Sequence, residues 1–298
     1  MMSRANWWVT SAAAMSTLVA ITGLMAIASP SSATETPAAD STFLLAIGAS
    51  VSVGVQPTPR STYGQPTNQG YANDLVAMWA KEGTAEHLIQ TGCPGETTQQ
   101  VLLGGDHCYA PGESQLRRAV AFLRTHANQS GVVTLDLGFN NLHGCVHYRN
   151  FDTTCVNARM NLLRFELNQI IAVLKSVAGP HVTFVGINHY NPYLAAALTS
   201  STGSAFADAS VPVIDLLNST LATIYSQNSI PVADVAASFR TSDETRVRVG
   251  GIGVVGENLA QICALTWMCH GAPTGPNLHP NDKGYQVIAD AIAALLPR

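Results

Sequence analysis

The chain has 298 residues, 47% of them apolar and only 11% charged, with a formal net charge of −4. That composition supplies a large core. The few Lys and Arg residues are scattered, so no nucleic acid partner is expected, because phosphate recognition needs basic residues in clusters.

Residues 1–8 carry one charged side chain, Arg4, and an uncharged stretch follows over 9–28, then Ser29-Pro30-Ser31-Ser32-Ala33. Charged, apolar and small-residue segments in that order predict a secretory signal over 1–33, with a polar lead-in at 34–41. About 20 uncharged residues also suffice to span a bilayer. The many Ala, Ser and Thr residues and the position of Pro30 favour cleavage, so no stable membrane insertion is expected afterwards. No cysteine stands near the cut to carry a lipid. The expected destination is secretion or the cell envelope. Residues 42–298, roughly 260 in number, fit one sizeable domain.

Six cysteines in an exported chain point to disulfides. Short loops are cheap to close, which favours the neighbouring pairs Cys93–Cys108, Cys145–Cys155 and Cys263–Cys269. The metal alternatives, Cys263 and Cys269 with His270, or His143 and His147 around Cys145, have no recognised zinc spacing.

Apolar patterning predicts a strand at 43–47, a helix at 71–79, a short strand at 87–90 and a helix at 116–126. A buried strand follows at 132–137, a long amphipathic helix at 157–177 and a strand at 182–187. Next come a helix at 205–225, a strand at 232–235 and a closing helix at 282–295. Residues 238–275 read as a long loop forming a lid or wall. Strands alternating with helices predict an α/β fold with a central parallel sheet of about five strands and helices on both faces.

Four blocks carry chemical residues. Gly48-Ala49-Ser50 ends the first strand, Gly92-Cys93-Pro94-Gly95-Glu96-Thr97 follows the second, Gly138-Phe139-Asn140-Asn141 follows the third, and Asn277-Leu278-His279-Pro280-Asn281 opens the last helix. Open α/β folds put their sites at the carboxyl ends of strands. A serine hydroxyl needs a base to become a nucleophile, and histidine suits that task near neutral pH. Ser50 and His279 are therefore the candidate catalytic pair. The backbone N–H groups of Ser50 and Gly95 and the amide of Asn140 are candidate donors to an oxyanion. Gly92 competes with Gly95, Ser52 reads as a turn residue, and Asp136 reads as structural. His189 belongs on a loop or in the cleft, and Tyr190 and Tyr193 are candidate pocket walls or core residues.

In these Ser, Gly, Asn and His blocks the chain resembles the SGNH, or GDSL-type, hydrolases, over most of its length from Phe43 to Leu295. It is most similar to the secreted bacterial lipase and esterase branch, whose members carry three local disulfides. The resemblance implies a flavodoxin-like three-layer α/β/α sandwich and cofactor-free hydrolysis of carboxylic esters, small-molecule or lipid; no metal is expected, and a monomer is expected. It assigns Ser50, Gly95, Asn140 and His279 to the family's four roles. Two departures stand out. Ala49 occupies the place of the family's Asp, and Pro276 stands where an Asp often precedes the histidine. The branch's use of a main-chain carbonyl implies that Pro276 orients His279 in a Ser–His dyad, with Asp282 capping the last helix. The alternatives are a carbohydrate acetyl esterase with the same site, and a binding protein that has lost catalysis.

Overall fold

The computed structural model describes residues 42–296, apart from 85, 106 and 148. The signal and lead-in expected over 1–41 lie outside the described residues. A five-stranded parallel sheet runs in the order Glu86–Gln90, Thr42–Gly48, Gly131–Asp136, Val182–Ile187, Val232–Ala233. The first strand of the chain thus has the second on one side and the third on the other. This flavodoxin-like order creates a switch point between the first and third strands.

The first strand is buried on both faces, as a central parallel strand must be. Phe43, Leu45 and Ile47 enter one core with Leu123, Leu167 and Leu217. These come from the helices Gln115–Thr125, Thr153–Val177 and Ser201–Gln227. Leu44 and Ala46 enter the other core with Leu75, Ile262 and Ile288, from the helices Tyr71–Lys81, Glu257–Leu265 and Asp282–Ala293. The three-layer sandwich expected from the alternation is present.

Several helices begin earlier than apolar spacing suggests, because polar caps define their starts. Asp152 accepts from the Cys155 N–H and Ser200 from the Gly203 N–H. Both satisfy first-turn donors that no intrahelical partner reaches. The region 238–275 is not one long loop. It holds the antiparallel hairpin Arg246–Val249 with Gly253–Gly256, followed directly by the helix Glu257–Leu265. The expected strand at 232–235 stops at Ala233, because Asp234 caps a short helix, Val235–Ser238. Asn281, not Asp282, caps the last helix, accepting from the Gly284 N–H at 3.1 Å. Asp282 instead accepts from Gln56 Nε2 at 2.6 Å.

Disulfides join Cys93 to Cys108, Cys145 to Cys155 and Cys263 to Cys269. Among the described residues, no helix is long and apolar enough to cross a membrane.

Candidate active site

The first strand ends at Gly48, and Ser50 begins a 3-10 turn over Val51–Val53. Ser52 is a turn residue, its hydroxyl donating to the Ala49 carbonyl at 2.7 Å. The second block packs directly on this turn. A Cβ at Gly92 would come within 2.0 Å of Ser52 Oγ, so close approach requires glycine there. Gly95 has φ +83°, a left-handed conformation that glycine adopts at no steric cost. The two glycines have separate tasks: Gly92 allows contact, and Gly95 turns the chain.

Two buried clamps hold the blocks in register. Gln115, at the start of its helix, accepts from the Gly48 N–H at 2.7 Å and donates to the Gly48 carbonyl at 2.9 Å. The same amide donates to the Glu96 carboxylate, joining the first block to the second. Thr98 and Asn141 exchange two hydrogen bonds, of 3.2 and 2.7 Å, and the Thr98 hydroxyl donates to buried Glu166 at 2.5 Å. This joins the second block to the third. Asn140 Nδ2 donates to the Glu96 carbonyl at 3.2 Å. Its position follows a strand end and needs no partner to be found in sequence. Gln115 and Glu166 escape such reading because their partners lie 67 and 68 residues away.

His279 is 8% exposed. The Pro276 carbonyl expectation gives way here to a different contact. Asn277 Oδ1 accepts from the His279 backbone N–H at 2.9 Å and lies 2.7 Å from His279 Nδ1. The backbone donor requires an oxygen at that position, so the amide is oriented with its acceptor toward the ring. Nδ1 therefore carries the proton, and Nε2 keeps a lone pair. An Asn side chain reaching two residues onward is a local turn that competes well with a main-chain oxygen. Burial pushes the His279 pKa down from 6.5 to about 4. Its loop is anchored from two sides: the Trp267 N–H donates to the His279 carbonyl at 3.1 Å, and the Tyr190 hydroxyl donates to the Leu278 carbonyl at 2.7 Å.

A cavity of about 40 Å³ opens at the switch point. Its walls are Ala49, Ser50, Val51, Asp136, Phe139, Asn140, His189, Tyr190, Pro192 and Leu278. Ser50 and Asn140 thus share one cavity. His279 adjoins it through Leu278, and Gly95 through the Asn140–Glu96 hydrogen bond. Ser50 makes no hydrogen bond to His279 among the described residues, a contact often long until substrate arrives. Tyr190 is a wall, whereas Tyr193 packs with Phe139, Phe151 and Phe206.

Asp136 has more than a structural place. It ends the third strand, is 3% exposed, and lies 3.8 Å from His189 Nδ1. Burial raises its pKa; His189 and the backbone N–H groups of Ser52 and Ala49 oppose that rise by favouring the anion. Cys93, His107 and Cys108 also cluster, with both sulfurs consumed in the disulfide.

A flavodoxin-like sandwich with a serine and an asparagine meeting at its switch point defines a class of α/β proteins whose chemistry sits on strand ends. The chain belongs to the GDSL-like Lipase/Acylhydrolase family, whose model matches residues 46–287. Solved structures share the fold. An extracellular lipase from Streptomyces rimosus is 17% identical, with a TM-score of 0.55 over 86% of this chain and 100% of that one. Phospholipase A1 from Streptomyces albidoflavus is 18% identical, with a TM-score of 0.52 over 86% and 99%. A variant of an acetyl xylan esterase from Geobacillus stearothermophilus is 13% identical, with a TM-score of 0.50 over 85% and 93%. No curated protein sequence matches the chain.

Proposed function

We propose that this protein is an exported esterase that hydrolyses carboxylic esters through an acyl group carried on Ser50. The carrying observation is the cavity at the switch point, which has both Ser50 and the Asn140 amide in its wall and the His279 loop beside them. In this reading, His279 Nε2 takes the Ser50 proton as Oγ attacks the ester carbonyl. The Asn277 oxygen keeps the other ring proton on Nδ1, so the Nε2 lone pair is left to accept a proton. Charge on the tetrahedral oxygen is met by the N–H groups of Ser50 and Gly95 and by the second N–H of the Asn140 amide. The loss of one such donor costs about a hundred- to a thousand-fold in turnover. His279 then returns its proton to the departing alcohol, and water repeats the sequence to release the acid. The three disulfides support export, since such bonds persist in oxidising compartments.

Ser50→Ala is expected to abolish hydrolysis of p-nitrophenyl acetate and to prevent labelling by a fluorophosphonate. Hydrolysis retained by the pure variant would overturn the assignment.

A further inference from the structure

Resting on the ester-hydrolase reading, we propose that the site accepts acetyl and similarly short acyl groups and rejects fatty acyl chains, because its cavity is small and the buried Asp136–His189 pair forms part of its lining.

Three observations lead to this. The first is size. The cavity measures about 40 Å³, far below the roughly 300 Å³ at which pockets for drug-sized ligands begin. A methyl group beside the ester carbonyl fits such a space. An eight-carbon tail does not.

The second is the polar part of the lining. A fatty chain needs apolar walls, and here the lining includes a carboxylate 3% exposed and an imidazole 7% exposed. Displacing either would strand a buried polar group. Neither side chain is loose. The His189 ring bonds to the Leu137 carbonyl at 3.2 Å through Nε2. Its backbone N–H and carbonyl are both held by the Asn218 amide, at 2.9 and 2.8 Å. Asp136 belongs to the sheet, in register with Gly48.

The third is the wall. Tyr190 is tied to Leu278 by its hydroxyl and stacks on Phe239, with ring centroids 4.5 Å apart. Phe139 stacks on Tyr193 at 5.9 Å. Opening the cavity sideways would break the tyrosine anchor that also holds the His279 loop. Selection therefore acts on the acyl side of the ester.

The test compares kcat/KM of the wild-type protein for p-nitrophenyl acetate, butyrate and octanoate, normalised to sites titrated by a fluorophosphonate. The expected result is a fall of at least about a hundred-fold from acetate to octanoate, the size of two missing increments of binding at a factor of ten each. Octanoate hydrolysed as well as acetate would overturn the inference while leaving the ester reading intact. Failure to hydrolyse any of the three, with Ser50 unlabelled, would overturn both. In Phe139→Ala, and separately in Leu278→Ala, the octanoate-to-acetate ratio should rise about ten-fold. A ratio unchanged in both would overturn the placement of the acyl group in this cavity.

Discussion

Asn277 does for His279 a job that a carboxylate performs with charge, and an amide performs by geometry alone. Its oxygen sets the ring orientation and the tautomer, yet adds no negative charge to stabilise an imidazolium. With the ring buried, the pKa is held down at about 4. With His279 as the proposed base, active when neutral, the acid limb of kcat/KM should fall near pH 4, not near the 6.5 of a free imidazole. Asn277→Asp should move that limb upward by about one to three pH units, as an adjacent opposite charge does. Asn277→Ala should lower kcat with little change in KM. A pH–rate series on the three proteins checks this, and coincident acid limbs would refute it. The same shift acts on stability. The unfolded chain binds the His279 proton from pH 6.5 downward while the folded one resists to about 4, so the contribution declines as pH falls through that window. The positions of Ser50, Asn140 and His279 are legible because each stands at a strand end or helix start that its neighbours announce. Asn277 stands in the same block as His279, yet the resemblance points to Pro276. A side-chain contact two residues away leaves no periodic trace, whereas turn positions do.

At the scale of elements, the site is a set of strand ends whose spacing is fixed by a few buried amides and carboxylates. Gln115 is the clearest case. One side chain satisfies both backbone groups of Gly48 and contacts Glu96. Gln115→Ala would leave those groups buried without that partner, at a cost of about 1–3 kcal/mol for each group left unsatisfied. The expected outcome is a lower urea midpoint, together with a loss in kcat larger than any change in KM. An unchanged midpoint would show that the clamp is dispensable. The strands and long helices were legible from the alternation of apolar runs. The hairpin and helix inside 238–275 were not, because glycines at 250, 251, 253 and 256 break the pattern just where the short elements meet.

For the whole molecule, the sheet order follows from the strand–helix alternation, and the three disulfides close three separate local loops. Cys93–Cys108 closes the longest of the loops, 15 residues, and on the loop-entropy argument contributes about 3 kcal/mol. Replacing both cysteines by Ala should lower the midpoint of thermal unfolding more than replacing Cys263 and Cys269, whose separation is 6 residues. Calorimetry of the two double variants decides the order, and the reverse order would place the stabilisation in local packing instead. The sheet could be read from the sequence because it is built from runs. The joining of Gln56 to Asp282, across 226 residues, could not.

That last contact has a consequence for biosynthesis. The imidazole lies later in the polypeptide than the hydroxyl, the amide donors and nearly every wall of the cavity. A nascent chain emerging from the ribosome would hold an inert alcohol until residues 277–293 arrive and Tyr285 docks on the Val55 carbonyl. Reactivity would switch on only when that final helix is in place.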